Sequence, residues 1–216
     1  MCVILVCPAG IRPDLETLQA CAAANPHGAG VAWRGKREVR WSKNLSADET
    51  GLLLEQIEGE AIVHFRWASV GGVDPSLCHP FPVTRAASTA LVGSANRVLF
   101  HNGTWRGYGD ALSYVEREEG RKIGGPISDS RVMALLVNHL NDPTLLKNVD
   151  GRFAFMERKK TTLFGYWREW RGMQCSNLGF LYELERIKRP VRKTALSTSV
   201  DDQLALWEAS IREESL

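Results

Sequence analysis

Met1-Cys2-Val3-Ile4-Leu5-Val6 is the stretch from which the rest of the chain is read. Residues 2–6 form a short apolar run that predicts a buried strand, and Pro8-Ala9-Gly10 ends it. A small second residue permits removal of Met1, which makes Cys2 the N-terminus. Such a cysteine carries a thiol and a free α-amine on one residue. The amine titrates near ~7.7–8.0 and a free thiol near ~8.5. Near neutral pH the amine can take the thiol proton, directly or through a water, and later give it to a leaving amine. No separate His–Asp pair is then required. The other reading of Cys2 is a small hydrophobe in a strand, a common place for cysteine.

The composition narrows the setting. Of 216 residues, 44% are hydrophobic and 24% charged, an ordinary globular balance with enough apolar residues for one sizeable core. A net charge of +2 is too close to neutral to point to nucleic acid or a membrane surface. No apolar run reaches the ~18 residues of a transmembrane helix. No basic segment precedes Cys2, and Pro8 and Arg12 interrupt the apolar run, so no signal peptide is expected. Five cysteines without a C-x-x-C pair fit a reducing, cytoplasmic setting.

Further along, residues 14–24 carry Leu15, Leu18, Cys21 and Ala22 at helical spacing, closed by Asn25-Pro26. His27-Gly28-Ala29-Gly30 is a glycine turn feeding a strand at Val31-Ala32-Trp33, and Arg34-Gly35-Lys36 turns it back into 39–41. Residues 47–57 predict a second amphipathic helix with Leu52, Leu53, Leu54 and Ile57 inward. Residues 61–67 predict a central strand, and a Gly- and Pro-rich loop fills 69–84. Residues 98–103 predict a strand ending in Asn-Gly. Because 108–118 reads as a helix, that Asn-Gly sits at a strand-to-helix junction rather than in a hairpin. Ser128 or Asp129 caps a helix reaching Leu140. Residues 151–158 and 161–167 predict two strands joined by Lys159-Lys160, with a further strand at 173–177. The chain turns basic at 186–193, read as a linker, before a short helix at 200–213. Strands with pairs of helices between hairpins, lacking strict βαβ alternation, predict an α+β fold.

Polar groups stand at the ends of these apolar strands. In chain order they are Met1-Cys2, the turn at 27–30, His64-Phe65-Arg66-Trp67-Ala68-Ser69, His79-Pro80-Phe81, His101-Asn102-Gly103, Ser128-Asp129-Ser130 and Cys175-Ser176-Asn177. Singly, each has a plain structural reading: a snorkelled Arg, a turn, a helix cap. In this order they resemble the class II glutamine amidotransferases, the glutaminase domains with an N-terminal nucleophile, over residues 2–180. The resemblance implies a four-layer αββα sandwich of the N-terminal nucleophile hydrolase type. It makes 2–182 the glutaminase domain and 183–216 a basic linker with a short C-terminal helix.

The resemblance also implies roles. Cys2 attacks the side-chain amide carbon of L-glutamine, giving a thioester and ammonia, and water then releases glutamate. The Asn102 side-chain amide and the Gly103 backbone N–H form the oxyanion hole, where a glycine keeps a Cβ out of the way. Arg66 holds the α-carboxylate as a bidentate pair, Trp67 and Ser69 line the substrate site, and Asp129 pairs with the α-ammonium. His27 and Gly28 stand where the synthases of this family often carry an Arg-Gly pair that supports the nucleophile. Ser69-Val70 likewise replaces the Thr-His common in those synthases, so the chain looks more like the small stand-alone branch. No cofactor is implied. No metal is implied either, since Cys78-His79 lacks a second ligand pair at zinc spacing.

The stretch after 182 is too short for a second catalytic domain. A separate ammonia-accepting synthase is therefore the expected partner, with no nucleic acid and no membrane. The helix around Trp207 either packs on its own domain or docks that partner. Two other readings stay open. An N-terminal nucleophile amidohydrolase acting on another small amide would not need both Arg66 and Asp129. A catalytically silent regulatory homologue would not need Cys2, Asn102, Gly103, Arg66 and Asp129 together.

Overall fold

The computed structural model describes residues 2–189. The helix expected at 200–213 lies outside them. Strands β1 (Val3–Cys7), β2 (Ala29–Arg34), β3 (Val39–Leu45), β4 (Ala61–Phe65), β6 (Val92–Ala95), β10 (Arg168–Trp170) and β11 (Met173–Cys175) build one sheet in the order β10-β11-β1-β4-β2-β3-β6. A second sheet has the order β5-β7-β8-β9, from Phe81–Pro82, Arg97–Asn102, Arg152–Glu157 and Thr161–Phe164. Every pairing in both sheets is antiparallel. Helices are α1 (Leu15–Ala24), α2 (Ala47–Glu55), α3 (Tyr108–Glu119), α4 (Asp129–Leu140) and α5 (Leu181–Lys188). The fold is thus mixed α and β with antiparallel sheets, as the α+β reading expects.

Side-chain alternation along the strands sorts the apolar residues into three cores. Val3, Leu5, Val63 and Phe65 face α1, α2 and α5, joined by Leu18, Leu54, Phe180 and Leu184. Ile4, Val6, Ile62 and Trp41 face the second sheet, where Val98, Phe100, Ala154 and Met156 meet them. Leu99, Phe153 and Phe155 face away from that interface, toward Val115 of α3 and Met133, Leu135 and Val137 of α4. β1 and β4 lie buried along their whole lengths in the middle of the larger sheet. Both strands run out at one end of the inter-sheet core, and the polar residues that follow or precede them collect there.

Helix ends follow local chemistry. Asp14 caps α1 by accepting the Thr17 N–H. Ser46 and Glu49 form a reciprocal capping box on α2. Ser128 caps α4 by accepting the Arg131 N–H at 3.2 Å, which makes Asp129 the first helical residue.

Three expectations need correction. Leu52 is exposed rather than inward, because Leu53, Leu54 and Ile57 carry the face that meets the core. The strand expected at 61–67 ends at Phe65, since the Arg66 N–H and the His27 N–H pair with the loop backbone of Gly28 and with Arg66 itself. Residues 186–188, read as the start of a linker, are the last turn of α5, whose Leu184 is buried beside Phe180, so the boundary expected at 182 falls inside a helix. Strand β5 lies in the stretch expected to be a loop, and β6 and β10 in stretches given no element. β6 is Val-Gly-Ser-Ala with no apolar alternation, and it pairs because Gly93 lets the Trp41 ring lie against it, 2.4 Å from where a Cβ would be.

Among the described residues no helix is long and apolar enough to cross a membrane.

Candidate active site

Cys2 stands one residue before β1, and the antiparallel register Val3↔Phe65 carried one step further sets it across from Arg66. The Trp67 N–H donates to the Cys2 Sγ at 3.2 Å, and the thiol in turn lies 3.3 Å from the Trp67 carbonyl oxygen. Burial raises the Cys2 thiol above its ordinary value, with the Trp67 N–H and the Arg66 charge working the other way. The Cys2 carbonyl accepts from the Asn177 side-chain amide at 2.7 Å, so the residue is held at both ends.

Cys2, Arg66, Trp67, Ser69, Gly103 and Asp129 line one cleft, with Val70, Leu77, His79, His101, Ser128 and Ser130. The first group are residues expected at the site from the sequence; Asn102, His27 and Gly28, expected with them, do not line the cleft. The second group are not expected there, although His79, His101, Ser128 and Ser130 belong to stretches with polar groups at strand ends. The walls leave about 20 Å³ between them, the room of about one water.

Arg66 is buried and donates from Nη2 to the Gly72 oxygen at 2.7 Å and from Nη1 to the Asp74 oxygen at 3.2 Å. It therefore clamps the loop after Trp67 as well as facing the cleft. Trp67 itself is half exposed. Asp129 is buried at the N-terminus of α4. Its Oδ2 accepts the Trp105 N–H at 2.9 Å and its Oδ1 the Ser130 N–H at 2.8 Å. This carboxylate thus fixes the turn that carries Gly103.

Asn102 ends β7, opposite Arg152, and is buried. Its side-chain amide donates to the Ser176 Oγ at 2.8 Å, leaving one amide hydrogen uncommitted. Gly103 is required by crowding on the far side. A Cβ there would stand 2.7 Å from His101 Nε2 and 3.2 Å from the Gly151 Cα. Packing alone thus requires a glycine here.

His27 does not touch Cys2. Its Nδ1 accepts the Ala68 N–H at 2.8 Å and its ring packs 5.5 Å from the Trp67 ring. It braces the backbone at Ala68, next to the Trp67 peptide that meets the Cys2 sulfur. Gly28 adopts φ +95°, and a Cβ would stand 2.9 Å from the Cys78 sulfur, so a side chain there is excluded twice over.

Three buried histidines cluster at the cleft: His79 and His101 line it and His64 packs against His79. His64 and His79 lie fully inside with ring centroids 4.1 Å apart, and none of their ring nitrogens has a hydrogen-bond partner. His101 stacks on Phe153 at 4.5 Å and reaches Ser130 Oγ at 3.0 Å. Burial, and then the Arg66 charge, push His64 down to about 3, and burial drives His79 well below the usual range. The sign of the consequence follows from linkage. Between about 3 and the ordinary value of ~6.5, the unfolded chain binds protons that the folded His64 refuses. Stability present above ~6.5 is therefore lost as pH falls, by up to ~1.4 kcal/mol per pH unit per such histidine. Urea unfolding at pH 7 and pH 5 should show a lower midpoint at pH 5. His64→Gln should reduce that pH difference, and an unchanged difference would remove His64 as its source.

Comparison with known proteins gives a likeness of fold. No protein-family model matches the sequence, and no curated protein matches it. Among solved structures the chain is similar to glutamine phosphoribosylpyrophosphate (PRPP) amidotransferase from B. subtilis complexed with ADP and GMP. The identity is 17% and the TM-score 0.52, over 86% of this chain and 44% of that one. It is also similar to a structure described as the allosteric regulatory enzyme of purine biosynthesis, at 20% identity and a TM-score of 0.53, over 76% of this chain and 37% of that one. The chain thus spans less than half the length of either. The likeness is one of fold: most of this chain is folded like part of PRPP amidotransferase, in keeping with the resemblance to the class II glutamine amidotransferases.

Proposed function

We propose that the protein is a glutaminase of the class II amidotransferase type, hydrolysing the side-chain amide of L-glutamine through a Cys2 thioester and passing ammonia to a separate acceptor enzyme in the cytoplasm. The observation that carries this reading is the meeting of Cys2, Arg66, Gly103 and Asp129 in one cleft from four distant parts of the chain. The helix–sheet–sheet–helix order suggested by the three cores supports the αββα sandwich expected for such an enzyme.

Each residue has a task in the reaction. Burial keeps the Cys2 thiol protonated at neutral pH, so attack needs a base, and the α-amine of Cys2 is that base once Met1 is gone. Sulfur bonds to the amide carbon, and the carbonyl oxygen gathers charge. The uncommitted Asn102 N–H and the Gly103 N–H donate to it. The amine returns the proton to the departing nitrogen, ammonia leaves, and water cleaves the thioester by the same path in reverse. Arg66 and Asp129 supply one cation and one anion for the α-carboxylate and α-ammonium, which select a free amino acid over a peptide-bound amide.

The test is steady-state glutamate release across glutamine concentrations. Arg66→Ala should raise the Michaelis constant by roughly 30-fold or more, the equivalent of losing a buried charged hydrogen bond worth ~2–5 kcal/mol. Arg66→Lys should raise it less, keeping the charge but not the fork that also binds the Gly72 and Asp74 carbonyls. Asp129→Asn should raise it too and also lower kcat, because Asp129 holds the Trp105 N–H behind Gly103. If Arg66→Ala leaves the concentration dependence unchanged, Arg66 is only a loop clamp and free glutamine is not the substrate. The reading as an amidohydrolase for another small amide then takes over.

A further inference from the structure

Ser176 is the first residue beyond β11 and is buried. Its Oγ accepts the Ile4 N–H at 2.8 Å, while its own N–H donates to the Ile4 oxygen at 2.9 Å. The same Oγ accepts the Asn102 side-chain amide at 2.8 Å. Ile4 lies in the larger sheet, two residues after Cys2, and Asn102 ends a strand of the smaller one. One hydroxyl oxygen therefore joins the nucleophile's strand to the side chain expected to bind the oxyanion, across the seam between the sheets. The next residue, Asn177, donates to the Cys2 carbonyl at 2.7 Å, and its Oδ1 is fixed by the Gly179 N–H at 2.9 Å. Neither Ser176 nor Asn177 lines the cleft.

We infer that Ser176 is a positioning residue for catalysis: its hydroxyl sets the plane and reach of the Asn102 amide relative to Cys2. An amide nitrogen has two hydrogens in one plane. Holding one at Ser176 fixes where the other points. Without that hold, the Asn102 side chain can turn about its last torsion, which is broad and weakly restrained. The donor then has to be re-aimed at each turnover. A transition-state donor out of place affects turnover rather than substrate capture.

This inference rests on the glutaminase reading for its kinetic arm only. Wild type, Ser176→Ala, Ser176→Cys, Ser176→Thr, Asn102→Ala and the Ser176→Ala/Asn102→Ala double variant are compared for glutamate release. Ser176→Ala should lower kcat by ~10- to 100-fold, less than outright loss of an oxyanion donor, with the Michaelis constant within about twofold of wild type. Ser176→Cys, close in size but a weak hydrogen-bonding group, should behave alike and carries the test where alanine fails to fold. Ser176→Thr keeps the hydroxyl and should retain most of the turnover. In the double variant kcat should equal that of Asn102→Ala alone. Wild-type kcat in Ser176→Ala, or losses that multiply in the double variant, would overturn the assignment.

A second arm does not depend on activity. The Asn102 side-chain amide signals in a proton–nitrogen spectrum are assigned by their loss in Asn102→Ala. They should move in Ser176→Ala and Ser176→Cys and stay in place in Ser176→Thr. If wild type releases no glutamate, the proposed function falls. The spectrum then decides for Ser176 alone: a shift sustains the pin, and unchanged Asn102 signals overturn it.

Discussion

Cys2→Ala protein is expected to release no glutamate and to take up no label from a diazo-ketone analogue of glutamine. In the proposed mechanism the sulfur forms the thioester, so its removal leaves no alternative route at the same carbon. The expectation is selective because the other cysteines are walled off. Cys7, Cys21, Cys78 and Cys175 are buried. Burial pushes the Cys7 and Cys175 thiols up to about 12 and the Cys21 thiol well above its usual range, far from the thiolate that reacts. Cys78 is held by its sulfur against the His27 carbonyl at 3.3 Å. Their replacement should leave labelling at one site per chain. Intact mass of active protein should also show loss of Met1, since the α-amine is the base. Label found on Cys78, or full activity in protein that keeps Met1, would sink the mechanism.

Asn102→Ala is expected to lower kcat by on the order of 10²–10³-fold, with a small change in the Michaelis constant. The bond to the substrate oxygen strengthens as charge develops there, so the loss falls on the transition state. Gly103 keeps one donor in place, which is why the loss stops short of that for Cys2. The variant also leaves the Ser176 hydroxyl with the Ile4 N–H as partner, so the sheet junction keeps its backbone bonds. The check is single-turnover and steady-state glutamate release, on protein whose far-ultraviolet spectrum matches wild type. A raised Michaelis constant at unchanged kcat would move Asn102 from the oxyanion to the ground-state site.

How much of this was legible in the sequence depended on the kind of signal. The buried strands β1 and β4 and the capped helices announce themselves through apolar runs and through Asp14, Ser46 and Ser128. Cys2, Arg66, Trp67, Ser69, Gly103 and Asp129 could be named because their stretches, taken in order, resemble a known family, whereas Val70, Leu77 and the lining histidines carry no such signal. The edge strands β6 and β10 could not be found, because an edge strand is defined by its neighbour: Gly93 matters only against Trp41. Leu52 was placed inward by its spacing, and spacing alone does not say how wide a face the core requires. The second duties of Arg66 and Asp129, on the Gly72, Asp74 and Trp105 backbone, depend on loop paths that no periodicity records. Gly30 shows the same limit. It reads as part of a turn, yet it lies in β2 with the His79 carbonyl 1.7 Å from where its Cβ would stand.

The narrowness of the cleft bears on binding thermodynamics. A space of about 20 Å³ admits a water but not an amino acid. On the proposed function, a glutamine-sized ligand would need a wider form of this cleft. Its apparent dissociation constant is the intrinsic one divided by the fraction of molecules in that wider form. The loop from Trp67 to Asp74 supplies one wall of the cleft, clamped by Arg66 and packed at Gly71, where a Cβ would stand 2.5 Å from both the Ile127 oxygen and Leu77. On that reading, substrate affinity would depend on how firmly this loop is held as well as on the groups that touch the ligand.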